Sequence, residues 1–217
     1  MPETFRQRCD RWRLDELLIK HSGLRLRPTT GSAVTLSGVL AFSAERENGE
    51  SIDDEYELEL WIPDRYPSLL PHVWETNRRI PPSFHKLTDG SLCLGSETRL
   101  RLILSRSPSI LSFVELCVVP YLYGHSYYEK HGELPFGELS HGSKGIIEDL
   151  ADVFGVDKVM VAGFVKVAAM KKRVANKRPC PCGGELRLGL CHRKRINMLR
   201  RRLGRRWFGY LKLHLDS

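Results

Sequence analysis

Two stretches of this sequence place sulfur where it can do chemistry. The first is Asp89-Gly90-Ser91-Leu92-Cys93-Leu94-Gly95, a lone cysteine just after an Asp-Gly turn. Alternation sets Leu92 and Leu94 on the face opposite Cys93, so leucines that pack inward leave the thiol facing outward. A nucleophilic thiol needs that access and some thiolate character. His85 stands eight residues earlier in the same loop and reaches the sulfur if the loop folds back. On spacing alone, one cysteine and one histidine fit a small buried hydrophobe and a surface loop residue better than a catalytic pair. The second stretch is Cys180-Pro181-Cys182-Gly183-Gly184, followed after eight residues from Gly183 by Cys191-His192. Three thiolates and one imidazole make a closed tetrahedral zinc site, structural because no position stays open for water. Gly183 and Gly184 allow a tight turn whose amides face the sulfurs, and a tail of unpaired cysteines has no packing reason to cluster this way.

Other candidates carry less. Cys117 lies in the apolar run ILSFVELCVV and reads as core, while Cys9 has no local partner and no assigned role. His125, His131 and His141 fall in YGHSYYEKHGELPFGELSHG, but their spacing matches no ligand pattern. That stretch reads as an ordered loop packed by Tyr127, Tyr128 and Phe136. Downstream of the cysteines, Arg193-Lys194-Arg195, Arg200-Arg201-Arg202 and Arg205-Arg206-Trp207-Phe208 form a basic, aromatic run. It could clamp phosphates or stack on bases, dock an acidic partner, or simply be a solvated helix face. Nucleic acid is a possible partner of this tail but not the favoured one.

The elements that must position these residues follow from periodicity. Cys9–His21 reads as a helix stopped by Gly23. Ala33–Phe42 and the alternating Glu55–Ile62 read as strands, joined by a turn at Glu47-Asn48-Gly49-Glu50. A short strand is expected around His72–Glu75, between prolines, and no periodic element from Arg78 to Gly95. Ser107-Pro108 opens a helix through about Tyr123, with Ser107 as cap and Pro120 ending or kinking it. Ser143–Phe154 and Asp157–Ala175 read as helices separated by Gly155, and a basic helix closes the chain. Helix, antiparallel strands, long loop, helices is an α+β order.

Composition sets the outer bounds. With 217 residues, 41% hydrophobic and 28% charged, the chain can bury a real core and is globular rather than disordered. No apolar run approaches the ~18 residues of a membrane span, and the N-terminus lacks the apolar core of a secretory signal. Six scattered cysteines suit a reducing, cytoplasmic setting better than a disulfide framework. The net charge of +8 conceals an asymmetry: residues 1–150 hold 17 Lys and Arg against 22 Asp and Glu, whereas residues 151–217 hold 17 against 4. The expected division is a domain over 1–142 and a helical extension over 143–217, with the zinc motif at 180–192.

The first domain resembles the ubiquitin-conjugating enzyme family over roughly residues 9–125. The residues that carry the resemblance are Ile62-Pro63, Tyr66-Pro67, Pro71, Val73, Gly90, Leu92, Cys93 and Leu94. They stand where that family has a strand ending in Pro, a Tyr-Pro-x-x-x-Pro turn, a short strand and a Gly-x-Ile/Leu-Cys-Leu active-site turn. The resemblance implies a four-stranded antiparallel meander flanked by helices, with Cys93 as the thioester-forming nucleophile. The family's His-Pro-Asn tripeptide is absent, and His85 occupies the place of its asparagine, as in prokaryotic members. A histidine there either donates to the oxyanion or helps deprotonate the attacking amine. The zinc segment resembles the SEC-C motif. That tail and residues 123–142 also resemble the ubiquitin-conjugating-like proteins of CBASS anti-phage operons. In those relatives the acyl donor is the C-terminus of a cGAS-like nucleotidyltransferase and the acceptor is a lysine or other nucleophile. No Gly-rich phosphate loop occurs here, so activation is expected from another protein. The competing expectation is a catalytically silent scaffold of the same fold that binds and regulates the synthase.

Overall fold

The strand pattern of the sequence sets the centre of the first unit. In Tyr56-Glu57-Leu58-Glu59-Leu60-Trp61-Ile62, every second side chain is buried and the acidic ones between face solvent. A computed structural model describes residues 4–28, 31–45, 49–135 and 142–215. It has an α+β architecture in two units, Met1–Gly95 with Ser107–Glu138, and Ser96–Arg106 with Leu139–Ser217. The expected boundary at 142/143 abuts residues 136–141, which lie outside the described residues, as do Phe136, His141, Glu47 and Asn48.

The first unit holds a four-stranded antiparallel meander in the order β1 (Leu24–Arg27), β2 (Val34–Glu45), β3 (Ser51–Ile62) and β4 (His72–Glu75). The strand β1 escaped the sequence reading because Leu24-Arg25-Leu26-Arg27 buries only Leu24 and gains its order by pairing with β2. β2 and β3 pair along their whole length, Val34 opposite Ile62 through Glu45 opposite Ser51. β4 is as expected and pairs with β3, Trp61 facing His72.

The expected helix over 9–21 is two helices, α1 (Phe5–Trp12) and α2 (Leu14–Lys20), broken where Arg13 adopts φ 55°. Tertiary contacts override the helical run here. Trp12 is buried, and both its indole N–H and Arg11 donate to the Tyr66 carbonyl. The Tyr66 hydroxyl in turn donates to Ser109 O, and the Tyr66-Pro67 bond is cis.

The helix expected from Ser107 begins instead at Ile110, capped by Ser109, whose hydroxyl accepts the Ser112 amide. Nor does Pro120 end it. A short helix α4 (Ile110–Phe113) passes through a π-helical turn, Val114–Val118, into α5 (Val119–His131). Proline lacks an N–H and clashes with the carbonyl four residues back; the wider π turn, with Val119 N–H bonded to Val114 O, accommodates it. The stretch read as a loop from Tyr123 onward is therefore helix as far as His131, where Gly132 caps it.

The second unit is helical around a core that includes Leu150, Phe154, Phe164, Leu188, Ile196 and Phe208. Its elements are α3 (Glu97–Leu104), α6 (Gly142–Phe154), a 3-10 turn Lys158–Met160, α7 (Val161–Ala169), α8 (Lys172–Ala175), α9 (Arg193–Leu203) and α10 (Arg205–Leu215). Gly155, at φ 69°, separates α6 from the 3-10 turn and α7, as the sequence suggested. The single helix expected over 157–175 is in three pieces. Met170 leaves the helix, and the carbonyls of Val167, Ala168 and Met170 turn to the Arg200 guanidinium. Among the described residues no helix is long and apolar enough to cross a membrane.

Candidate functional site

Cys93 ends a small hairpin built on β4. The Leu87 amide donates to Ser91 O, Lys86 pairs with Leu92, and the Cys93 amide donates to His85 O at 2.7 Å. Gly90 makes the turn at φ 81°, a conformation open to glycine and costly for residues with a Cβ. Asp89 ties the turn internally, accepting from the Ser91 amide and hydroxyl, and these two bonds hold its carboxyl below the usual range. The hairpin is then pinned to the sheet edge. The Leu92 amide donates to Val73 O at 2.7 Å, the Trp74 indole to Asp89 O at 3.2 Å, and His72 lies 3.4 Å from the Asp89 carboxylate. Leu92 is buried, and Cys93 and Leu94 are half-buried.

His85 and Cys93 thus stand opposite one another across a backbone ladder. His85 adopts φ 38°, uncommon for a residue with a Cβ. Its ring contacts that of Phe84 edge-on at 5.3 Å. Three residues of α5 hold this loop from below: Tyr121, which the sequence reading passed over, His125, which it weighed as a ligand, and Tyr128, which it read as packing. The Tyr121 hydroxyl donates to the carbonyls of Phe84 and His85 at 3.0 and 3.3 Å. Burial raises the Tyr121 phenol, and the charge of Cys93 nearby adds to the rise. The Phe84 ring packs on Tyr121, His125 and Tyr128. These three recur at helical spacing on α5, a signal available once that segment is read as helix.

Beneath them lies a buried polar network. The Tyr56 hydroxyl bonds His125 Nδ1 and Ser126 Oγ, each at 2.8 Å, and Ser126 donates to Asp54 at 2.6 Å. Arg79 joins Asp54 and Glu129 and lies over the Tyr56 ring at 4.3 Å. Burial alone would raise the Asp54 carboxyl, but hydrogen bonds from Arg79 and Ser126 outweigh it and hold it at about 2. Burial lowers the proton affinity of His125. The buried Glu75 carboxylate accepts the amides of Asn77 and Ile80, fixing the far end of the loop. His125 is therefore a structural residue. His131 lies at the end of α5 against Glu50.

In the second unit, the ligand atoms of Cys180, Cys182, Cys191 and His192 all lie within 4.8 Å of one another. A tetrahedral ion holding thiolates at about 2.3 Å sets neighbouring sulfurs about 3.8 Å apart. The Cys182 and Cys191 sulfurs are 3.7 Å apart, and His192 Nδ1 lies 3.2 and 3.1 Å from the sulfurs of Cys180 and Cys191. The donor set fits a metal ion. A ladder with Pro179 opposite Arg187 frames it, and Gly183 turns it at φ 79°. The Gly184 amide donates to the Cys182 sulfur and lowers that thiol, whereas burial and the neighbouring sulfurs push the Cys191 thiol up to about 11. The Phe164 ring meets His192 edge-on at 5.1 Å and sets the imidazole plane. Cys117 is buried, and burial pushes its thiol up to about 12, which suits a core residue.

A scan against protein-family models gives no match for this chain, and a search of curated proteins gives no significant relative.

Proposed function

We propose that the first unit is a ubiquitin-conjugating-like cysteine acyltransferase in which Cys93 carries the acyl group as a thioester. One observation carries this reading: a half-buried cysteine on a hairpin pinned to a sheet edge, its amide bonded to the carbonyl of His85. Covalent catalysis needs a thiol held in one place and reachable from outside. The Cys93 thiolate attacks the carbonyl carbon of a protein C-terminus activated by another protein, and the activating group departs as the carbonyl reforms. An amine then attacks the thioester, the Cys93 sulfur leaves with its electron pair, and an amide forms with loss of the amine's proton. His85 serves as oxyanion donor or proton acceptor in that second step. A cGAS-like synthase of a CBASS operon supplies the C-terminus in this reading. The second unit holds one structural zinc, since Cys180, Cys182, Cys191 and His192 leave no ligand position for water.

Co-expression with the neighbouring operon proteins and a non-reducing gel tests the assignment. A thiol-sensitive adduct is expected in the wild type, a thiol-resistant ester in Cys93→Ser, and none in Cys93→Ala. Undiminished conjugation by Cys93→Ala sinks the assignment of Cys93, and the absence of any adduct in the wild type favours the scaffold. Metal analysis after dialysis is expected to give about one zinc per chain.

A further inference from the structure

From residue 158 to residue 215 the sequence has 17 Lys and Arg and a single acid, Glu185. The structure separates the cations that the fold consumes from those it does not. Arg195 donates to the carbonyls of Val153 and Asp152 at the end of α6, and Arg200 donates to those of Val167, Ala168 and Met170 at the end of α7. Lys158 pairs with Glu148. Arg201, Arg202, Arg205 and Arg206 differ. They bracket Gly204, the bend between α9 and α10, and all four are exposed. No carboxylate partners them among the described residues. Arg205 lies close enough to Arg200 that, after burial, it is what depresses the Arg200 proton affinity. Four guanidinium groups within about two helical turns repel one another unless an outside anion compensates them.

The chemistry of that anion can be narrowed. Of the large apolar side chains of this elbow, Leu199, Phe208 and Leu211 are buried, while Tyr210 and Leu213 are exposed. These two exposed side chains are a small apolar area beside four guanidinium groups, less than the packed anchors on which protein interfaces depend. The aromatics are also engaged. Trp207 has the Arg101 guanidinium over its ring at 4.4 Å, stacks with Tyr210 at 5.2 Å, and donates its N–H to Thr98. Tyr210 packs in turn on His214. Stacking on unpaired bases, which single-strand recognition uses, is thus poorly supplied, whereas guanidinium forks suit phosphate oxygens.

We propose that the arginine elbow around Gly204 binds the phosphate backbone of a nucleic-acid duplex without reading its sequence. The experiment is fluorescence anisotropy of the full-length, metal-loaded chain with a labelled 20-base-pair duplex (about two turns of B-form helix). Wild type is expected to bind in the micromolar range at about 50 mM salt, with affinity falling steeply as salt rises. The variant Arg201→Glu/Arg202→Glu/Arg205→Glu/Arg206→Glu is expected to bind at least about 30-fold more weakly, with a salt slope smaller by about three to four. Circular dichroism and metal content verify its fold, and the four-Gln variant repeats the measurement with less perturbation. No duplex binding by wild type, or equal binding by folded variants, overturns the proposal. So does tighter binding of a single strand, or of polyglutamate, than of the duplex.

Discussion

The hairpin that ends in Cys93 and the loop that holds Cys180 and Cys182 are built alike and surround their sulfur differently. Each is a short antiparallel ladder with one bridging pair, Lys86 with Leu92 and Pro179 with Arg187. Each turns on a glycine of similar geometry, Gly90 at φ 81° and Gly183 at φ 79°. At Cys93 the surroundings are a sheet edge and an aromatic floor, and the bonds that fix the turn come from β4 and Tyr121. At Cys180 two further sulfurs and an imidazole converge, so an ion is the natural cross-link. The local frame does not decide what a cysteine does. The number of soft donors brought to one point does, because a saturated ligand set ties the thiolate up while a lone thiol stays available.

The sharpest way to break this comparison is to exchange the roles. Cys182→Ser removes one of four ligands and is expected to strip the metal and melt the second unit. Its transition should fall by more than about 10 °C, because metal-binding energy in such sites is folding energy. Cys93→Ser is expected to leave the metal content intact and move the transition by no more than about 2 °C. Thermal circular dichroism with metal analysis reads both. If Cys182→Ser keeps its ion, or Cys93→Ser loses it, the two turns do not differ as described.

The next test removes a support of the Cys93 turn. Tyr56→Phe leaves His125 Nδ1 buried without its 2.8 Å partner, under the Phe84 ring. The expected cost is about 2–3 kcal/mol in the first unit, read by urea unfolding, with the metal content unchanged. A loss below about 0.5 kcal/mol would mean that the network does not hold the loop.

These supports also mark where the sequence stopped being readable. The Cys93 turn and the cluster of three cysteines and His192 were legible because their determinants are contiguous: Asp-Gly before one cysteine, and Cys-Pro-Cys-Gly-Gly before the others. The strands β3 and β4 were legible from alternation and bounding prolines. The helix α5 was not, since its buried face includes Gly124, His125 and Ser126 and so carries no apolar period. A polar residue is buried there only because Tyr56, fully 69 positions away, satisfies it. The break at Arg13 and the π turn before Pro120 are tertiary accommodations of the same kind. The arginines of the tail read as one undivided basic run because helix ends that accept hydrogen bonds are invisible until the helices are placed.

Acid provides a graded test of the first unit. In the fold the Asp54 carboxyl sits at about 2 against an ordinary 3.8, because Arg79 and Ser126 outweigh its burial. A depressed carboxyl stabilises the fold fully above its unfolded pKa and ceases to do so as pH falls through the folded one. The window is therefore roughly pH 4 down to pH 2, and the loss is about 2 kcal/mol. Asp54→Asn is expected to flatten that part of the stability curve while leaving the metal, and hence the second unit, as in wild type at neutral pH.

The smallest expected effect separates arginines that serve the fold from those that face outward. Arg195 donates to the carbonyls of Val153 and Asp152, where the last turn of α6 has orphan acceptors and the negative end of the helix dipole. Arg195→Ala should cost about 1 kcal/mol by thermal unfolding of the second unit. Lys should restore only part of it, since an ammonium cannot span two carbonyls as a planar fork does. Arg202→Ala, with no such acceptor, should lie within about 0.5 kcal/mol of wild type or gain slightly from relieved repulsion. If instead the two substitutions cost the same, the division of the basic run into caps and a free elbow fails, and the tail returns to being a uniformly solvated helix face.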